Sequence, residues 1–184
     1  MNIFVLDEDP VTAARMHCDK HIPKMCVEAA QMMASALRRH GATDEQMPFT
    51  KAGKPYKGGY AHHPCTVWVG DSEANFVWMA VHAQELISEY TKRFGKIHAC
   101  QTPIFEMVDL GFVMSDDWPK GKTPFALAMP DEFRPETIDG ETMYHAYPKY
   151  AVEAYRAYYH MKWFAKWEKG TPAPDWWQGV EVTA

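Results

Sequence analysis

The chain carries no Walker loop, no dinucleotide-binding glycine fingerprint and no Ser-His-Asp set. Their absence removes the usual phosphate-cradle, nicotinamide and acyl-transfer sites. No apolar run reaches 18 residues, so no membrane-spanning helix is predicted. Cysteine is scarce, four in 184 residues with no Cys-x-x-Cys pair, and reduced thiols are expected rather than a disulfide framework. Positive charge is also in deficit: 19 Lys and Arg against 24 Asp and Glu leave a net charge of −5. That counts against a chain-wide basic surface for nucleic acid, though not against a local patch of clustered cations. The opening residues Met-Asn-Ile-Phe-Val-Leu-Asp have no basic segment and reach an acid at Asp7, unlike a secretory leader. A cytoplasmic protein is the expectation.

What is present reads as one globular domain spanning residues 1–184, with 47% apolar and 23% charged residues. Asp9-Pro10 opens a first helix running to about Cys18, with an acceptor at the cap and proline at the first helical position. A second helix is predicted from Pro23 to His40, a third from Asp71-Ser72 to Phe94 with Gly95 as its stop, and a short one over Thr102–Leu110. A last helix is predicted from Pro148 to Lys169, with Ala154, Ala157, Tyr158, Met161 and Ala165 facing inward. Residues 41–61 and 111–140 read as loops, the first basic and flexible, and 170–184 as a tail. No alternation long enough for a sheet is present, so the predicted fold is mainly α, a single helical domain with long irregular loops.

Four groups of residues could carry chemistry. On the second helix His21, Lys24, Glu28, Gln31 and Ser35 fall in one stripe at i, i+3, i+4 spacing. A cation, an imidazole and a carboxylate on one side can neutralise an anion and move a proton; a solvated face with a Lys–Glu pair is the plainer reading. Cys18, Cys65 and Cys100 each lie near histidines, residue types that bind zinc, but without established ligand spacing. His82, Glu85 and Glu89 share a helix face in an order that only partly matches a di-iron template. Finally, Lys51, Lys54, Tyr56 and Lys57 in the first loop, and Tyr155, Arg156, Tyr159, Lys162, Trp163 and Lys166 near the C-terminus, mix cations with rings as phosphate and base contacts require.

The run Asp19-Lys-His-x-x-Lys-x-x-x-Glu-x-x-Gln31, followed by His62-His63-Pro64 and Trp68, then Glu89-Tyr-Thr-Lys-Arg93 and His98-x-Cys100, resembles the bacterial pyrimidine-dimer DNA glycosylase-like family. That family is distantly similar to phage endonuclease V, a small helical glycosylase/AP-lyase. The resemblance spans residues 1–100 best. It implies an all-α fold and a DNA-repair-like N-glycosylase/AP-lyase acting on a damaged or modified nucleotide. In that chemistry an α-amine, with an ordinary pKa of about 7.7–8.0, attacks the sugar C1′ and forms a Schiff base while a glutamate assists. Carried over, the amine belongs to Met1 or Asn2 and the glutamate is Glu28. Lys24, His63 and Arg93 hold phosphate or the opened sugar, with His21, Gln31, His62, Tyr159 and Lys162 as further substrate contacts. Asn2 is large enough that Met1 is expected to be retained. No cofactor and no metal are expected on this reading, and the partner is nucleic acid or a small nucleotide, not a membrane. The alternatives are a non-catalytic nucleotide-binding protein of phage type with a basic-aromatic pocket, and a metal-dependent enzyme using His, Cys and Glu ligands.

Overall fold

The run from Asn2 to Leu6 is apolar enough to make a strand, yet it pairs with no strand among the described residues. In the computed structural model, which describes residues 1–134, 137–138, 141–142 and 148–179, Ile3 to Leu6 run extended through the core and are buried. Phe4 takes a positive φ of 52°, a costly backbone state for a residue with a β-carbon. Asn2 holds that bend in place: its side-chain carbonyl accepts the Phe4 N–H at 2.9 Å, and its amide donates to the Ala128 carbonyl at 2.6 Å.

Helix α1 (Pro10–Arg15) starts as predicted, with the Asp9 carboxylate accepting the Thr12 N–H at 2.7 Å. It ends earlier than Cys18. Helix α2 (His21–Arg39) then runs through the middle of the molecule, packed against α3, α4 and α5. Its predicted apolar face of Cys26, Ala29, Ala30, Met33 and Leu37 is buried, but so are His21, Glu28 and Ser35 on the polar stripe. Opposite apolar and polar faces suit a surface-lying amphipathic helix, but neighbours on several sides make this one central instead.

Helix α3 (Pro64–Val69) was not predicted, although His63-Pro64 repeats the cap-then-proline signal of Asp9-Pro10. Helix α4 (Glu73–Phe94) is bounded by a Ser72 cap and by Gly95 in the left-handed region, as read from the sequence. Helix α5 (Gln101–Met114) continues four residues beyond Leu110, straight through Gly111. A β-carbon there would run into the Phe76 ring on α4, so this glycine serves close helix approach rather than a loop.

Beyond α5 come two 3₁₀ turns, Ser115–Asp117 and Asp131–Phe133, and a two-residue antiparallel ribbon, Thr137–Ile138 (β1) with Glu141–Thr142 (β2). The parts of the predicted 111–140 loop at 135–136 and 139–140, and the tail at 180–184, lie outside the described residues. Mainly α is the architecture.

Helix α6 (Pro148–His160) is nine residues shorter than predicted, and its inner face is rotated. Ala151, Val152, Ala154, Tyr155 and Tyr159 are buried, while Ala157 and Met161 are exposed. The tyrosines win the interior because their hydroxyls find partners there: Tyr155 donates to the Ala126 carbonyl at 2.6 Å, and Tyr159 accepts the Cys18 N–H at 3.0 Å. Residues 161–179 then fold back over α1 and α6. The Trp167 indole donates to the Met16 carbonyl, and Trp176 and Trp177 pack on Tyr159 and His160.

The 41–61 loop is likewise held down. Arg38 donates to the Tyr56 and Ala42 carbonyls, Lys57 pairs with Asp44 at 2.6 Å, and the Ser35 hydroxyl accepts the Gly59 N–H at 2.9 Å. Gly58 has a φ of 82°, and a β-carbon on it would collide with Ser35. The C-terminal half of the α2 polar stripe is thus spent on docking this loop.

Candidate active site

One turn of α2 puts Lys24 and Glu28 side by side, and the extended N-terminal segment is laid across them. Glu28 keeps only 11% of its side chain exposed. One carboxylate oxygen accepts the Asn2 backbone N–H at 2.8 Å; the other lies 3.3 Å from the Lys24 ammonium and 3.9 Å from the Met1 α-amine. Two main-chain nitrogens from one end of the chain therefore converge on a single buried carboxylate.

His63 stands beside this cluster. Its Nδ1 accepts the Cys65 N–H at 3.2 Å as the cap of α3, which leaves the ring proton on Nε2 in the neutral form. Burial lowers its pKa and the Met1 amine lowers it further, with the Glu28 carboxylate opposing them.

From the cluster a cavity of about 270 Å³ opens, walled by Phe4, His21, Tyr158, Lys162 and Phe164. Lys162 lies just past the end of α6, with its ammonium 3.7 Å from the centre of the Tyr158 ring and 5.4 Å from that of Phe4. Phe4 stacks on His21 with ring centres 4.9 Å apart. Burial, reinforced by the charges of His17 and Lys24, pushes His21 down to about 3, so its imidazole is neutral at physiological pH. Its Nδ1 lies 2.7 Å from the Tyr159 hydroxyl, which already accepts the Cys18 N–H. In the tautomer that accepts the tyrosine proton at Nδ1, the His21 Nε2–H is a neutral donor.

The residues read from sequence separate into two sets. Met1, Asn2, His21, Lys24 and Lys162 line the cavity, Glu28 lies against Met1, Asn2 and Lys24 at its edge, and His63 is close enough to feel the charges of the Met1 amine and Glu28. Gln31 instead packs beside Gly59 under the docked loop. Tyr159 is fully buried behind His21, positioning that ring rather than facing the cavity. His62 is exposed and lines a different cavity, with Ser35, Arg39 and Thr66. Arg93 has no side-chain exposure: it donates to Glu89, Asp19 and the carbonyls of His17 and Arg15, so its guanidinium is used up as a staple. Phe4, Tyr158 and Phe164 are the wall residues that sequence reasoning missed. For Tyr158 the signal was Lys162, one helical turn later.

Thiol and metal chemistry are poorly served here. All four cysteines are free and buried, and burial pushes Cys65 up to about 11 and Cys26 up to about 12, far from thiolates at neutral pH. Among the described residues no three His, Cys, Asp or Glu side chains are grouped to hold a metal ion, so the three His/Cys neighbourhoods do not converge. His82 packs on Trp78 and bonds to the Pro10 carbonyl, while Glu85 pairs with Arg15 and Glu89 with Arg93. No helix among the described residues is long and apolar enough to cross a membrane.

A helical protein with a main-chain amine and a buried glutamate at the mouth of a ring-lined cavity is what the fold and the site define. A family model described as pyrimidine dimer DNA glycosylase matches residues 1–102, more than half of the 184-residue chain, and the protein belongs to that family. The matched span holds α1 to α4 and every member of the cluster except the C-terminal cavity wall. Searches of curated proteins and of solved structures found no match.

Proposed function

We propose that this protein is a DNA N-glycosylase with associated lyase activity, acting through its first α-amine on a damaged pyrimidine nucleotide, the substrate class in its family's description. The observation that carries the reading is the Glu28 carboxylate, which meets both the Met1 amine and the Asn2 nitrogen at the edge of the cavity. With Met1 retained, its amine is the nucleophile and the Asn2 N–H holds Glu28. With Met1 removed, the Asn2 nitrogen becomes the amine, already 2.8 Å from the other oxygen of the same carboxylate. The glutamate serves either form.

The steps follow from these positions. Glu28 takes a proton from the attacking nitrogen as a bond forms to C1′, and the bond from C1′ to the base breaks. The base leaves with the glycosidic electron pair. The same carboxyl returns its proton to the sugar ring oxygen as the ring opens, giving a protonated imine between the amine nitrogen and C1′. Glu28, a carboxylate again, takes a proton from C2′, and the bond from C3′ to the phosphate oxygen breaks, the 3′ phosphate leaving with its electron pair. Lys24 and Lys162 supply positive charge for the anionic groups near the cavity, and the neutral His21 Nε2–H and the His63 ring offer donors to sugar oxygens. The rings of Phe4, Tyr158 and Phe164 offer apolar surface to a base or sugar.

Borohydride reduction of the protein mixed with duplex bearing an abasic site or a pyrimidine dimer tests the reading. A stable covalent adduct that maps by proteolysis to residue 1 or 2 is the expected result. Well-folded protein that yields no adduct on either duplex overturns it. A second reading, a non-catalytic nucleotide-binding protein, draws on the small cavity and the net charge of −5, since a mononucleotide needs one pocket rather than a basic track. Mononucleotide binding with no salt-dependent duplex binding would favour it.

A further inference from the structure

A second cavity, of about 310 Å³, shares no lining residue with the first, and the proposed reaction does not use it. Arg39, His62 and Thr66 line it, together with Ser35. Thr66 is 3% exposed, and among the described residues its hydroxyl and His82 Nε2 are the two buried side-chain polar atoms without a hydrogen-bond partner. Buried polar atoms normally find partners, so an unpartnered hydroxyl in a cavity wall points to a ligand. Arg39 contributes a half-exposed guanidinium whose NH1 bonds Asp71 at 2.8 Å and the Val67 carbonyl at 3.1 Å. Asp71 orients this cation and partly offsets its charge. His62, exposed at the rim, adds a ring N–H. Arg39, His62 and Thr66 carry donors of the kind that meet phosphate oxygens, Ala61 and Val67 complete the wall, Ser35 is engaged with Gly59, and no carboxylate is among the lining residues.

The placement says which phosphate. Ser35 and Arg39 continue the stripe of Lys24 and Glu28, seven and eleven residues further along α2, or about 10–16 Å at the helical rise. That distance spans about three to five nucleotides of one duplex strand. We infer that Arg39, His62 and Thr66 form a phosphodiester subsite that grips the nucleic-acid strand a few nucleotides from the base held at Glu28. The inference rests on the proposed function for its ligand, and it accounts for how an acidic chain holds DNA: through discrete anion sites along one helix rather than a basic surface.

The test uses the full chain and two probes, a short duplex with one abasic site and inorganic phosphate. Arg39→Gln is expected to weaken duplex binding and reduce the slope of log affinity against log salt by about 1, while adduct formation at saturating duplex stays unchanged. Thr66→Val, which keeps the shape and removes the hydroxyl, should weaken binding without changing the slope, because no counterion is released at a neutral group. Melting curves check that each variant is folded. Unchanged affinity and slope in both Arg39→Gln and His62→Gln overturn the inference. Inorganic phosphate that binds at this cavity without competing against duplex also overturns it, since the site would then take a free anion. If wild-type protein forms no adduct, the proposed reaction fails, yet the salt slopes still report on the subsite independently.

Discussion

Glu28 on α2 and Glu89 on α4 are the same residue in nearly the same setting, and their carboxylates are partnered in opposite ways. Each is a buried glutamate one turn from a cation on its own helix. Around Glu89 every group is matched. Its carboxylate accepts from Arg93 at 2.7 Å, Thr171 at 2.8 Å and Lys92 at 3.1 Å, and Arg93 goes on to Asp19 and two main-chain carbonyls. This cluster ties α4 to the end of α1 and to the C-terminal segment. Around Glu28 the partners are a backbone N–H, a mostly exposed lysine and an amine at a looser 3.9 Å, with a cavity alongside. A charged pair whose hydrogen bonds are all internal is a clamp; one with capacity left and an opening to solvent can do chemistry.

The largest expected effect breaks the clamp. Arg93→Met leaves Glu89 charged and buried without its main partner and should cost about 3–5 kcal/mol of stability by denaturant unfolding. The protein that remains folded should form adduct normally, since Arg93 does not reach the cavity. Glu28→Gln reverses the pattern: adduct formation falls by about a hundredfold or more, equivalent to about 2.7 kcal/mol, with little change in melting temperature.

Acid sharpens the contrast further. Burial pushes His17 down to about 4 and His82 down to about 3, so both stay neutral in the folded chain at pH values where the unfolded chain takes up protons. Each folded pKa lies below the unfolded value near 6.5, so stability is complete above that pH and is lost as pH falls toward 4. Replacing His82 with Phe should flatten the decline by about 1.4 kcal/mol per pH unit, measured by urea unfolding between pH 6 and 4.5. Glu89 falls the other side of that window: burial raises its pKa, but the bonds from Thr171, Arg93 and Lys92 together bring it below the ordinary value, so its share is lost only at more acidic pH. The smallest effect is expected from Lys24→Gln. Its side chain is 57% exposed, so stability should change by less than about 0.5 kcal/mol, while the rate of adduct formation falls severalfold.

Much of the secondary structure was legible because its signals are local. Ser72 and Gly95 bound α4, Asp9-Pro10 opens α1, and the residues before and after Lys24 repeat at helical spacing. The failures share a cause. The predicted helix ends at Leu110 because nothing nearby reveals that Phe76 presses on Gly111, and the predicted last helix wrongly turns Ala157 and Met161 inward because its buried tyrosines are held by carbonyl and N–H groups far away in sequence. Arg93 and Lys24 sit in similar motifs, each an i,i+4 partner of a glutamate, and spacing could not tell the clamp from the open site.

By itself the sequence determined where α1, α2 and α4 lie, the caps of α1 and α4, and the shared face of His21, Lys24 and Glu28, because propensity, capping and periodicity act within a turn or two. Only the tertiary structure decided that an amine 27 residues before Glu28 comes to rest on its carboxylate, and that the α4 stripe closes on itself. Those outcomes depend on which buried groups find partners across the core, and that matching is made only when distant segments pack.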